Sequence, residues 1–121
     1  MDVIRLAYPT PPSRALVRPA IAIGNFDGVH RGHAALIAAA RAASDGGEVC
    51  ALTFEPHPVQ ILAPAAAPVR LTTPARKLEL LAEAGVDVAI VMAFTPALAA
   101  MPASGFAIDV LGRELGARQV V

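Results

Sequence analysis

The sequence predicts an α/β domain with a parallel sheet, and three observations carry that prediction. Short apolar runs alternate along the chain with Ala-rich stretches of helical character. The runs are continuous rather than interleaved with polar residues, as strands covered on both faces are. Glycines close the helical stretches and return the chain to the next run. The resulting order of strand, helix, strand, helix, strand, helix, strand builds a parallel sheet with right-handed crossovers.

The elements follow in order. Val3-Ile4-Arg5-Leu6 suits a short edge strand, and residues 7–19, with Pro9, Pro11, Pro12 and Pro19, read as a surface lead-in. The chain therefore divides into an N-terminal strand and Pro-rich lead-in over 1–19 and a domain over 20–121. Ala20 to Gly24 is the first buried strand. Gly32 to Ser44, with Leu36 and Ile37, is helical and stops at Asp45-Gly46-Gly47. Glu48 to Phe54 is the second main strand, and a Pro-rich loop runs from Glu55 to Val69. Thr73-Pro74 reads as an N-cap followed by proline at the first helical position. Leu78, Leu81 and Ala82 form the inner face of that helix, Arg76 and Lys77 its surface, and Gly85 its end. Val86 to Phe94 is the third strand. A helix over Ala103 to Leu115 turns Phe106, Val110 and Leu111 inward and stops at Gly116. Arg118 to Val121 begins a fourth strand, so the fold reads as unfinished at Val121.

Composition narrows the function. A chain of 121 residues suits one domain with its own core. Ten basic and ten acidic side chains give zero net charge, without the cation surplus that nucleic acid requires. The single Cys50 cannot form an internal disulfide, which makes a reducing cytoplasm the expected compartment, and its apolar strand places it in the core. A mean hydropathy of +0.56 raises the question of a membrane. The charge-free stretch Val88 to Ile108 is long enough to span one, but Pro96 and Pro102 interrupt it and its first part reads as a strand. The N-terminus, with Asp2, Arg5 and early prolines, is no signal peptide. No membrane partner is expected.

In open α/β sheets ligands bind beyond the carboxyl ends of the strands. The first buried strand delivers Gly24-Asn25-Phe26-Asp27-Gly28-Val29-His30-Arg31-Gly32-His33 there, directly ahead of a helix. Glycines four apart let backbone approach a ligand and turn sharply. The helix start offers free N–H groups and the positive end of a dipole, which favour phosphate. His30 and His33, three apart, share one side of that start. Neither G-x-G-x-x-G nor a P-loop motif is present. His-x-x-His could be half of a zinc site, but no further ligand follows at the right spacing, so no metal-ligand set is assigned. Asn25 and Asp27 could also be ordinary turn residues, and Arg31 only a solvated charge.

The string G-N-F-D-G-V-H-R-G-H, with its H-x-G-H at His30 to His33, resembles the nucleotidylyltransferase superfamily. Within it, the string is similar to the FMN adenylyltransferase (FAD synthetase) module of prokaryotic bifunctional riboflavin kinase/FAD synthetases. Thr53-Phe54-Glu55-Pro56-His57-Pro58 resembles that family's T-F-E-P-H-P. Leu71 through Leu81, Gly85-Val86-Asp87, Phe106 through Leu111 and Gly116 through Val121 resemble its later blocks. The resemblance implies a Rossmann-like nucleotidylyltransferase fold that is incomplete at the C-terminus. It implies transfer of AMP from ATP to FMN, giving FAD and pyrophosphate, with Mg²⁺ accompanying ATP.

By the same resemblance, His30 and His33 are the catalytic residues, contacting the ATP phosphates. Gly24, Asn25, Phe26, Asp27, Gly28 and Gly32 line the nucleotide and phosphate side, and Pro56, His57 and Pro58 lie toward the flavin. The family's G-x-D-F-x-F-G and I-S-S-T-x-x-R-type motifs, and the riboflavin kinase module expected in its full-length members, are not within these residues. That points to a partial adenylyltransferase domain. The alternatives are a non-catalytic flavin or nucleotide binder, another H-x-G-H nucleotidylyltransferase, or an interaction domain that binds neither substrate.

Overall fold

Five strands form one sheet: β1 (Asp2–Leu6), β2 (Ala20–Ile23), β3 (Val49–Glu55), β4 (Val88–Ala93) and β5 (Gln119–Val120). The computed structural model describes residues 1–28, 31–55 and 73–121. The strand order is β1-β4-β3-β2-β5, and every neighbouring pair is parallel. The α/β architecture with a parallel sheet is thus as the apolar runs predict. The N-terminal edge strand is present, and the run near Val121 pairs alongside β2. Residues 2–6 hydrogen-bond to β4, so this segment belongs to the same sheet as the rest.

The two faces of the sheet differ in bulk because side chains alternate along each strand. One face presents Ala20, Ala22, Val49, Ala51 and Ala89, and there Ile37 and Ala40 of α1 (Arg31–Ala43) and Leu81 of α2 (Pro74–Glu83) complete a buried layer. The other presents Ile4, Leu6, Ile21, Cys50, Leu52, Val88, Ile90 and Met92. Against it pack Leu98 of α3 (Pro96–Ala99) and Val110, Leu111 and Leu115 from the C-terminal helical segment. Cys50 is fully buried, and burial pushes its thiol up to about 12.

Several expectations need correction. Thr73 caps α2 as predicted, its side chain accepting from the Arg76 N–H. Of its expected inner face, Leu81 is fully buried and Leu78 packs against the same layer, but Ala82 is exposed and Lys77 lies inward with Leu81. The charge of a lysine resists burial, but here it finds acceptors at the strand ends. The charge-free stretch from Val88 to Ile108 becomes β4 and then two short helices, α3 and α4 (Ala103–Gly105). Thr95 caps α3 through its side chain just as Thr73 caps α2, a threonine–proline signal passed over in the sequence. The helix expected over Ala103 to Leu115 widens after α4 into a π-helix at Phe106–Glu114, whose i→i−5 bonding continues with the Leu115 N–H to the Val110 carbonyl at 3.0 Å. No helix among the described residues is long and apolar enough to cross a membrane.

Candidate active site at the carboxyl edge of the sheet

From β2 the chain builds outward through β3 and β4, and then β5 returns to the other side of β2. The strand order therefore reverses at β2, and the crevice beyond a reversal is where open α/β sheets hold ligands. The segment 24–28 leaves β2 at this point and leads toward α1, whose first residue is Arg31.

Local geometry fixes that segment. The Gly24 N–H still donates to the Leu52 carbonyl at 3.1 Å, extending the sheet by one bond. Phe26 then adopts φ +52, rare for an aromatic residue, and Gly28 follows at φ +80. The reversal at Phe26 folds its ring back under the loop, where it is fully buried. A Cβ on Gly24 would lie 3.4 Å from the Phe26 ring, so the ring packs directly against the start of the loop. On its other side the ring meets His33, with centroids 5.0 Å apart and planes tilted by 53°. His33, in the first turn of α1, is thus held half-buried at the helix N-terminus by an aromatic contact.

Beneath the loop lies a buried polar cluster. The Lys77 ammonium, 2% exposed, donates to the Asn25 carbonyl at 3.0 Å and to the Thr53 hydroxyl at 2.9 Å. It also pairs with Glu55 Oε1 at 2.9 Å. Thr53 Oγ1 in turn donates to the same Asn25 carbonyl at 3.0 Å. Asn25 Oδ1 is buried without a hydrogen-bond partner among the described residues.

On the opposite face, Phe54, Phe94, Leu98, Ala99, Met101 and Phe106 line a cavity of about 230 Å³. Phe54 and Phe94 meet edge to face at 5.6 Å, and Phe54 and Phe106 lie 6.4 Å apart. All four phenylalanines of the chain are therefore at this edge of the sheet, three of them in one apolar pocket.

Of the residues singled out from sequence, Gly24, Asn25, Phe26, Asp27 and Gly28 fall in the one loop, with Gly32 and His33 in the first turn of α1. His30, Pro56, His57 and Pro58 lie outside the described residues. Sequence reasoning missed Lys77 and the phenylalanine pocket. The phenylalanines did carry a signal: in a chain with so few aromatics, Phe54 and Phe94 each close an apolar run.

A profile of the FAD synthetase family matches residues 13–121. The chain belongs to the FAD synthetase family. Among curated relatives, the bifunctional riboflavin kinase/FMN adenylyltransferase of Escherichia coli K12 is 41% identical over 99 residues, covering 78% of this chain and 31% of the relative. The protein of the same name from Pseudomonas fluorescens is 39% identical over 100 residues, covering 81% and 32%. That from Listeria monocytogenes is 38% identical over 99 residues, covering 78% and 32%. The chain spans about a third of the length of these relatives. A solved structure described as a macrolide-efflux protein from Streptococcus pneumoniae superposes with a TM-score of 0.68 at 24% identity, covering 88% of this chain and 37% of that one. That likeness supports the fold.

Proposed function

We propose that this FAD synthetase family chain carries the adenylyl-transfer half of FAD synthesis. A phosphate oxygen of FMN attacks the α-phosphorus of ATP, the bond from that phosphorus to the bridging oxygen of the β-phosphate breaks, and FAD and pyrophosphate result. The single observation that supports this best is the Gly24–Gly28 turn at the strand-order reversal, which leads to a helix start where His33 is held against Phe26. Such a site binds phosphate by helix N–H groups and an imidazole, and it accelerates transfer by alignment and charge stabilisation. Because the Asn25–Phe26 peptide is planar and trans, pinning its carbonyl to Lys77 turns the Phe26 N–H the opposite way, as a further donor for an anion. His30, beside this start in sequence, is assigned the same phosphate role. The phenylalanine pocket suits a flat apolar ring such as the flavin, and Pro56, His57 and Pro58, next in sequence after Glu55, are assigned the same flavin role.

Among the described residues no group of three or more His, Cys, Asp or Glu side chains could hold a metal by itself. Asp27 is the carboxylate of the loop, and Mg²⁺ is ordinarily held by one or two carboxylates together with substrate phosphates and water. Asp27 would be the protein ligand of an ion that arrives with ATP, and such an ion would offset phosphate charge. The proposed setting is the cytoplasm, and the riboflavin kinase activity in the relatives' names would supply FMN.

The test is incubation with ATP, Mg²⁺ and FMN, with FAD resolved by chromatography and both ligands titrated separately. ATP binding is expected, weakened roughly tenfold by His33→Ala or His30→Ala through loss of a charge-assisted contact, and FAD formation would add turnover to it. A chain that binds neither ligand refutes the reading. Binding without FAD would leave a nucleotide and flavin binder, and unchanged ATP affinity in both variants would remove the histidines from the phosphate site.

A further inference from the structure

A fully buried lysine ammonium is costly unless every proton is satisfied. Lys77 meets that condition with nothing to spare. Its three protons face three acceptors, the Asn25 carbonyl, the Thr53 hydroxyl and the Glu55 carboxylate, at 2.9–3.0 Å. Thr53 accepts from Lys77 and passes its own proton to Asn25, so both lone-pair directions of the Asn25 carbonyl are occupied. Glu55 offsets the charge. An ammonium so fully committed has no proton left for an incoming phosphate, and its effect on a ligand must pass through the groups it holds.

Those groups belong to three separate pieces of the site. Asn25 begins the loop after β2, Thr53 and Glu55 end β3, and Lys77 comes from the first half of α2. The next residue after Glu55 is Pro56, the start of the segment assigned to the flavin side. The next after Asn25 is Phe26, whose positive φ seats the ring against His33. Resting on the adenylyl-transfer reading of this site, we propose that Lys77 is a positioning residue. Its ammonium fixes the Asn25 carbonyl, and thereby the direction of the Phe26 peptide and the seat of His33, and it ties that loop to the end of β3.

The decisive comparison is between the unaltered chain, Lys77→Met and the double variant Lys77→Met/Glu55→Gln. Methionine keeps the length of the stem without the donors, and glutamine removes the carboxylate charge that would otherwise be stranded. Two readouts are needed: amide resonances of Asn25 to Gly28 against those of β4, and titration with ATP and Mg²⁺. Displaced loop resonances with an unperturbed β4, together with ATP affinity at least about tenfold weaker, are expected in the double variant. A folded double variant that keeps either the loop resonances or the ATP affinity of the unaltered chain overturns the proposal. If neither variant folds, the ¹⁵N-labelled ammonium of the unaltered chain decides: its signal is expected to shift on adding ATP, and a stationary signal overturns the positioning role. Failure of the unaltered chain to bind ATP refutes the adenylyl-transfer reading itself, whereas loop resonances that move on substitution still report whether Lys77 holds the loop.

Discussion

Phe26 combines full burial with a backbone conformation that a side chain disfavours, which makes two substitutions there diverge in a diagnostic way. Phe26→Ala empties the space between Gly24 and His33, and truncating a buried phenylalanine costs about 3–5 kcal/mol. The alanine still has to adopt φ near +52, and a Cβ in that region costs roughly 1–2 kcal/mol. Phe26→Gly loses the same packing but not the backbone penalty. Against this, glycine raises the entropy of the unfolded chain by about 0.4–1 kcal/mol. The glycine variant is therefore expected to be the more stable of the two by roughly 0.5–1 kcal/mol. At ordinary negative φ the order is reversed by about the same amount. Urea unfolding followed by far-ultraviolet circular dichroism measures both. A midpoint lowered by about 2 M is expected for the alanine variant, given a slope of about 1–3 kcal/mol per M, with the glycine variant between it and the unaltered chain. A glycine variant less stable than the alanine one, or an alanine variant costing less than about 1 kcal/mol, would refute the assigned turn.

Two further predictions concern the opposite edge of the sheet. Gly46 has φ +79, and a Cβ there would meet only the tip of Arg18 at 3.6 Å, whereas a Cβ on Gly47 would run into the Arg18 carbonyl. Gly47→Ala should therefore cost about 1–3 kcal/mol or more by steric conflict and exceed Gly46→Ala, at about 1 kcal/mol of backbone strain, in thermal or urea unfolding; the reverse order would refute the close approach. The Glu48 carboxylate accepts both Arg14 nitrogens, at 3.0 and 2.8 Å, and the Val17 N–H at 2.8 Å. The Arg14 hydrogen bonds hold it below the usual carboxylate range against burial. A carboxylate depressed on folding stabilises above its unfolded-state value near 4.5 and loses that contribution as the pH falls through its lower folded value. Stability measured against pH should thus fall on the acid side, and Glu48→Gln should flatten that limb while lowering stability at neutral pH. An unchanged acid limb would exclude this contribution.

The central strands β2, β3 and β4 were legible because each is built on an apolar run, and burial on both faces demands that pattern. Val49–Glu55 and Val88–Ala93 sit within a residue or two of the runs read from sequence. The Thr73 cap was legible because a side-chain cap is a local event. Lys77 was not, because its acceptors stand 22, 24 and 52 residues away in the chain: Glu55, Thr53 and Asn25. On the inner face of α2 the hydrophobicity pattern placed Leu78 and Leu81 correctly, while Ala82 is exposed and the buried position next to them goes to the lysine. The π-helix escaped because Val110, Leu111 and Leu115 satisfy an α-helical spacing equally well. Within the site, the glycine–histidine string marked the loop, but the ring of Phe26 beneath it emerged only from the backbone turn.

The asymmetry of the sheet connects these features. A face of Ala20, Ala22, Ala51 and Ala89 carries little bulk, so helices packed on it can approach closely, and interiors at crystal-like density leave no slack in that spacing. From this side of the sheet a lysine in the first half of α2 reaches the Thr53 hydroxyl at 2.9 Å through its long stem. The opposite face is filled by Ile21, Leu52, Ile90 and Met92, and there the helical segments stand away far enough to leave a pocket beside Phe54. Alternation along one strand thus sends Thr53 and Glu55 to the lysine and Phe54 to the pocket. The polar anchor of the 24–28 loop and the apolar phenylalanine pocket therefore lie on opposite sides of the same three residues, which is the division that the proposed pairing of a phosphate site with a ring site would use at one sheet edge.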